Sequence, residues 1–333
     1  MENRKITCYN KTVISIDADE QINRKTQFIK TKNLYTTQMT RTILFLILFF
    51  MGDLCFSQGF KTLDIEKRNI DSNNDIYKIG NVFVYDYVII ENNTEYKLNY
   101  IAGLPNNKFE LIKKSNDTIA SKIHLIIPKL KKSDRTNRNQ TEIKYLYAPD
   151  FSFISGTGVV ENENNIWLHP PRSAIFAALE TCPFPYVKLP IEIGKEWREK
   201  MTVNEHWSNE KWGVWSKKLS LFYNYKITKK TKLNTGFGEI DCYMIESIAE
   251  SKIGESKLTS YFSEKFGFVR LEYEMVTGLK INYWLENYSE NNHLEGFENI
   301  LKYIDEQKKT IAKRTNLLET QQDRLPSHNT IVN

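Results

Sequence analysis

Apolar and polar residues alternate with a period of two through the last third of the chain. Leu219, Leu221, Tyr223, Tyr225 and Ile227 alternate with Lys218, Ser220, Asn224, Lys226 and Thr228, and only Phe222 breaks the pattern. Ile240 to Ala249 and Leu258 to Phe262 read as two further strands. Val269, Leu271 and Tyr273 then oppose Arg270, Glu272 and Glu274, and Leu279, Ile281, Tyr283 and Leu285 oppose Lys280, Asn282 and Glu286. Turn residues separate the runs: Asn234-Thr235-Gly236, Ser263 to Lys265, and Thr277-Gly278. One apolar and one polar face predicts an antiparallel sheet wet on one side. The short connections order it as a meander.

The same period governs residues upstream. Asn81 to Ile90, Glu95 to Ile101, Phe109 to Ile112 (after an Asn106-Asn107 turn), Ile119 to Ile127 and the run Ile143, Tyr145, Tyr147 all predict strands. Pro128 stops the fourth, and the charged stretch from Lys129 to Thr141 predicts a loop. Asp150 to Trp215 behaves differently. It holds Pro170, Pro171, Pro183, Pro185 and Pro190, and Trp167, Trp197, Trp207, Trp212 and Trp215. Proline lacks the ladder donor, so this stretch predicts an irregular insertion wrapped over one end of the sheet, with one or two helical turns at Ser173 to Glu180. After Asn291 the spacing of Leu294, Phe297, Ile300, Leu301 and Ile304 changes to about 3.6 and predicts a C-terminal helix. The expected fold is thus mainly β: a curved antiparallel sheet, open or a half barrel, with a Pro/Trp-rich insertion and one helix.

A different apolar stretch lies near the start, RTILFLILFFMGDLCFSQGF, Arg41 to Phe60. Its uninterrupted run, Ile43 to Met51, is far short of the ~20 apolar residues of a spanning helix and fits the ~7–15 of a secretory signal. Arg41 precedes it, and Cys55 and Ser57 place small residues before a cut at Gln58. We read 39–57 as a signal peptide and 1–38 as a non-native or disordered extension, with translation starting at Met39. The alternatives are a cytoplasmic tail on a short anchor, and a lipid-modified Cys55. The remaining organisation follows: a polar lead-in at 58–80, a single β domain at 81–290, a helix at 291–310 and a flexible tail at 311–333.

Removing that segment changes the charge. Of 46 basic and 41 acidic residues, 8 and 5 lie in the first 57, leaving 38 against 36. The balance lacks the basic patch of a nucleic-acid binder, so no nucleic-acid partner is expected. Aromatic residues at 13% and hydrophobic ones at 41% describe a folding sequence. Cys182 and Cys242 remain after the cut. In an oxidising compartment they either form one disulfide or stay as separate buried thiols.

The run YFSEKFGFVRLEYEMVTGLKINYWL, Tyr261 to Leu285, resembles the closing hairpins of periplasmic half-barrel proteins of the LolA/LolB-like group. The resemblance extends from Leu219 onward and leaves out the Pro- and Trp-rich middle. It implies an open curved sheet holding an acyl chain or lipid-like ligand in its concavity. No functional residue carries across.

Two stretches hold candidate chemistry. WLHPPR, Trp167 to Arg172, sets His169 between a tryptophan and two prolines; His169 reads as a ligand contact or general base with Arg172 holding an anion. The plainer reading is a rigid loop in which His169 bonds to backbone and Arg172 pairs with a carboxylate. NEHWSNEKWGVW, Asn204 to Trp215, spaces Trp207, Trp212 and Trp215 as a ligand platform or as a cover for the core. His124, His169, His206, His293 and His328 match no metal spacing, G-x-S-x-G is absent, and Gly156-Thr157-Gly158 reads as a turn. No metal or cofactor is expected. The leading reading is an exported, non-catalytic protein, periplasmic or extracellular and open to outer-envelope association, binding a lipid or other apolar ligand in a curved sheet. Second comes a structural component that meets an envelope protein through its tryptophans. An enzyme built around His169 is third and needs a carboxylate beside it.

Overall fold

The computed structural model describes residues 70–99, 109–115, 121–151 and 154–322, with side chains to 314. The extension, the signal segment, the Asn106-Asn107 turn and residues 323–333 lie outside these described residues. Everything described belongs to one compact unit, Phe60–Asn333.

The predicted strands form where alternation placed them. They are β1 (Val82–Glu91), β2 (Thr94–Asn99), β3 (Glu110–Lys113), β4 (Ile123–Ile126), β5 (Thr141–Tyr147), β10 (Lys218–Thr235), β11 (Gly238–Ser251), β12 (Gly254–Ser263), β13 (Gly267–Glu274) and β14 (Lys280–Ser289). The region from 150 to 215 is less irregular than expected. It supplies β6 (Ile154–Glu161), β7 (Asn165–Leu168), β8 (Tyr186–Lys188) and β9 (Glu196–Asn204). All neighbours pair antiparallel in the order β8-β7-β6-β5-β4-β1-β14-β13-β12-β11-β10-β9, with β2 and β3 branching from β1. The run β10 to β14 is the expected meander, and β9 extends it by one strand. Its hairpin between β13 and β14 turns at Gly278, whose φ of +82° is a conformation side chains resist.

The sheet curls until its two ends nearly meet. Tyr186 of β8 packs edge-on to Trp197 of β9 and to Tyr225 of β10, at 5.5 and 5.6 Å between ring centres. Trp197 and Tyr225 stack with 2° between their planes. Lys188 and Glu199 add an ion pair at 3.8 Å across the same seam. β8 and β9 lie at the two ends of the path, and the short β8 has Pro185 just before it and Pro190 just after it, where no central strand is interrupted.

Gly156 and Gly158 correct the expected turn: both lie inside β6. A Cβ on Gly158 would stand 2.1 Å from Gln140, and one on Gly156 would meet Lys144 and Thr136. The glycines make room for neighbouring side chains. The lead-in is also more than a tether. Tyr77 is fully buried, and Glu161 accepts the backbone N–H groups of Asp75, Ile76 and Tyr77, each at 2.9 Å.

The interior of the curl is filled, which removes the apolar concavity expected for an acyl chain. Tyr85, Tyr87, Tyr145, Tyr147, Tyr223 and Tyr273 point inward and are almost wholly buried. Between them runs a 3-10 segment, Ala174–Thr181, with Ile175, Phe176, Ala178 and Leu179 at zero exposure. Phe176 lies 5.3 Å from Tyr87 edge-on and 5.8 Å from Tyr147 stacked. The expected helical turns form, but inside the sheet and not over its end. A separate outer cluster covers the convex side of β1, β4 and β5, where Leu294, Ile300, Tyr303 and Ile304 close over Val82, Ile126 and Leu146. Three of these come from α1 (Gly296–Gln322), which runs past the expected end at 310.

Candidate functional site

Inward tyrosines need partners for their hydroxyls, and several find them on the segment that threads the interior. Tyr145 of β5 donates to the His169 carbonyl at 2.6 Å, and Tyr225 of β10 donates to the Phe184 carbonyl at 3.1 Å. Ser256 of β12 donates to the Thr181 carbonyl at 2.6 Å. Three strands thus clamp the segment from 169 to 184. Ala174, where it turns inward, holds φ at +55°.

The tryptophan stretch is a built loop. Asn209 and Gly213 exchange backbone hydrogen bonds, and the Asn209 side chain accepts from the Lys211 N–H at 2.9 Å. Trp212 donates Nε1–H to the Trp207 carbonyl at 2.8 Å, and the Trp215 N–H meets Ser208 Oγ at 3.1 Å. Trp212 and Trp215 are buried at 4% and 6% exposure, so they mainly cover the core. Trp207 is half-buried.

Where this loop faces the start of the threaded segment, a cleft of about 450 Å³ opens. It is lined by Ile154, Ser155 and Gly156 of β6, by Arg172, Ala174 and Ala177 of the threaded segment, and by His206, Trp207 and Trp212 of the loop. The structure therefore brings Arg172, Trp207 and Trp212 together. Trp167, His169 and Trp215 are outside its lining. Arg172 does not make the expected carboxylate pair among the described residues; its Nη2 donates to the Gly156 carbonyl at 3.2 Å. Ser155 Oγ is buried with no hydrogen-bond partner among the described residues.

Behind the cleft, His169 finds the carboxylate that an enzyme reading asks for. Its Nε2 lies 3.5 Å from Glu180 Oε1. Burial lowers the His169 pKa to about 4, against its bond to Pro170 and helped by the Arg172 charge. Burial raises the Glu180 carboxyl to about 7, against the same Arg172 charge. His169 Nδ1 stands 2.8 Å from the Pro170 carbonyl oxygen, which can only accept, so Nδ1 carries the hydrogen. Nε2 is left with its lone pair toward Glu180. Between about pH 4 and 7 the pair is a neutral imidazole beside a carboxylic acid. Trp167 and Phe184 flank the imidazole at 5.8 and 4.7 Å between ring centres. Neither His169 nor Glu180 lines the cleft, and a general base needs its reactant within hydrogen-bond reach.

Ser155, Ile154 and Ala177 carry no motif that sequence reasoning could use. Glu180 does carry a signal. It is a single carboxylate at the end of the apolar run AIFAAL, and a buried acid needs either a partner or a proton.

The other sequence candidates separate. Cys182 and Cys242 are both free and buried, which corrects the disulfide alternative. Cys182 sits beside Ser256, which pairs with Ala249 of β11. Cys242 lies seven residues along that strand, roughly 20 Å at ~3.3 Å per residue, where a disulfide allows about 7 Å.

No family model matches the chain, and no curated protein does. Among solved structures it is similar to a candidate lipoprotein from Parabacteroides distasonis at 12% identity and TM-score 0.35, covering 64% of this chain and 97% of that one. It is also similar to a candidate exported protein with a YmcC-like fold from Bacteroides fragilis at 9% identity and TM-score 0.35, covering 65% and 98%. A third is the hypothetical lipoprotein YmcC from Escherichia coli at 10% identity and TM-score 0.31, covering 72% and 93%. Likeness at these scores assigns neither ligand nor activity.

Proposed function

We propose that this protein is exported and acts without catalysis, binding an apolar or lipid-like ligand at the cleft between β6, the threaded segment and the tryptophan loop. The observation that carries the reading is the contrast between a filled interior and that open 450 Å³ cleft. Its size falls in the ~300–1,000 Å³ range of small-molecule sites. Ile154 at 41% exposure, the methyl groups of Ala174 and Ala177, and the Trp207 ring supply apolar walls. Export is supported by the signal-like segment ending at Ser57. The burial of Trp212 and Trp215 speaks against a flat aromatic docking face for an envelope partner, and the position of His169 behind the cleft speaks against enzymatic use.

Native mass spectrometry of protein purified along its own export route tests both parts. The expected spectrum shows a chain beginning at Gln58 and carrying a small non-covalent adduct. Narrowing the cleft with Ala177→Gln should remove the adduct while the fold persists. A bare mass for the wild-type protein would overturn the binding role, and retained residues upstream of Gln58 would overturn export.

A further inference from the structure

Two groups in the cleft keep hydrogen-bonding capacity that no described residue uses. Arg172 presents a planar guanidinium with five N–H donors, and its one described bond goes to the Gly156 carbonyl. Among the described residues no carboxylate comes within 4 Å of it; the acid behind it, Glu180, is directed at His169. Ser155, the residue before Gly156, is 9% exposed, lines the same cleft and has no partner for Oγ among the described residues. A buried hydroxyl left unsatisfied costs roughly 1–3 kcal/mol, so such groups are rarely retained without a partner. Arginine pairs with carboxylates and phosphates through two parallel bonds, and a serine hydroxyl lining the same cleft can donate a further one to the oxyanion. Ile154, Ala174, Ala177 and Trp207 line the same cleft.

Resting on the cleft as the binding site, we infer that its ligand is an amphipathic anion, with a carboxylate or phosphate held by Arg172 and Ser155 and an apolar body against Ile154, Ala174, Ala177 and Trp207. The lining residues divide the work. Arg172 and Ser155 fix the head, and Ile154, the two alanines and the tryptophan loop cover the body.

The test uses the full folded chain and probes below their micelle concentrations, read by tryptophan fluorescence and calorimetry. The probes are dodecanoate, dodecyl phosphate, dodecyl maltoside, dodecyltrimethylammonium and inorganic phosphate alone. One or both of the anionic amphiphiles should bind, and whichever does identifies the head as carboxylate or phosphate. Arg172→Gln should weaken that binding at least tenfold, Arg172→Lys less, and Ser155→Ala a few-fold. Should Arg172→Gln fail to fold, the Ser155→Ala and Arg172→Lys variants carry the comparison. Equal binding of the neutral or cationic amphiphile, unchanged in the Arg172 variants, would overturn the anion while leaving the cleft as the site. Inorganic phosphate binding as tightly as dodecyl phosphate would overturn the apolar body. No binding by any probe would overturn the cleft itself.

Discussion

Two layers of this molecule each bury a histidine, and they use it differently. On the convex side His124 of β4 meets the Tyr303 hydroxyl of α1 at 2.8 Å, with Phe151 edge-on at 5.1 Å. Inside the sheet His169 meets the Glu180 carboxyl. Burial lowers both imidazoles to about 4. The outer one faces a neutral hydroxyl and fastens a helix whose other face is open, with Phe297 and Leu301 more than half exposed. The inner one faces a group that titrates, on a segment clamped by β5, β10 and β12. The outer layer is therefore separable from the cleft. The inner segment is not, because its Arg172, Ala174 and Ala177 also line the cleft.

Emptying each layer in turn is the strongest way to break that comparison. Phe176→Ala removes a fully buried ring from between Tyr87 and Tyr147 and should cost about 3–5 kcal/mol of unfolding free energy. It should also abolish ligand binding under conditions where the protein is still folded. Ile300→Ala in the outer cluster should cost about 2–4 kcal/mol and leave binding within twofold. Urea unfolding, paired with fluorescence titration of the anionic amphiphile that binds, measures both. If Ile300→Ala destroys binding as fully as Phe176→Ala, the layers are one unit and the distinction fails.

These layers also differ in how far the sequence reveals them. In β10 to β14 each strand pairs with its chain neighbour, so local alternation plus a turn residue carries the whole arrangement. The outer helix is legible for a related reason: Leu294, Ile300 and Ile304 repeat on one stripe. The inner segment depends on Tyr145, Tyr225 and Ser256, which lie 24, 41 and 75 residues from the carbonyls they hold. Nothing in AIFAALET distinguishes a buried threaded segment from a surface helical turn. β9 was hidden differently. Trp197, Met201 and Val203 do alternate, but the neighbouring prolines mark the region as irregular, and proline excludes only central strands. The cleft was half legible. Arginine and tryptophan are conspicuous residue types, whereas Ser155 acquires meaning only from its lack of a partner in space.

A titration sharpens the contrast at intermediate magnitude. A histidine lowered from about 6.5 unfolded to about 4 folded contributes stability that is complete above pH 6.5. That contribution is lost as the pH falls toward 4, with a slope of up to about 1.4 kcal/mol per unit. Glu180, raised from 4.5 to about 7, has the opposite sign: its contribution is complete below pH 4.5 and is lost as the pH rises through 7. Between pH 4.5 and 6.5 the inner carboxyl therefore cancels much of one histidine. Glu180→Gln should make stability rise more steeply across that window, by about 2 kcal/mol relative to wild type. His124→Gln should flatten it by a similar amount, since the outer histidine has no opposing acid. Other titrating groups drop out of the difference between variants. Parallel curves for wild type and Glu180→Gln would show that the inner pair is not coupled to folding.

The smallest effect expected is none at all, and it separates this architecture from a cross-linked one. Cys182 belongs to the inner segment, Cys242 to the long β10–β11 hairpin, and burial raises both thiols to about 12. A thiolate is the nucleophile in disulfide exchange, so thiols this weakly acidic and this buried should react with a disulfide reagent only on unfolding. A disulfide closing the loop from 182 to 242 would contribute roughly 4 kcal/mol and would lower the thermal midpoint on reduction. Here, adding a reductant should leave that midpoint unchanged. Two equivalents of thiol should titrate in urea and none in the native protein, counted on a chain that begins after Cys55. A midpoint that falls on reduction would mean the threaded segment is anchored by a covalent bond and not by the hydroxyls of Tyr145, Tyr225 and Ser256, which would give the inner layer a different physical basis.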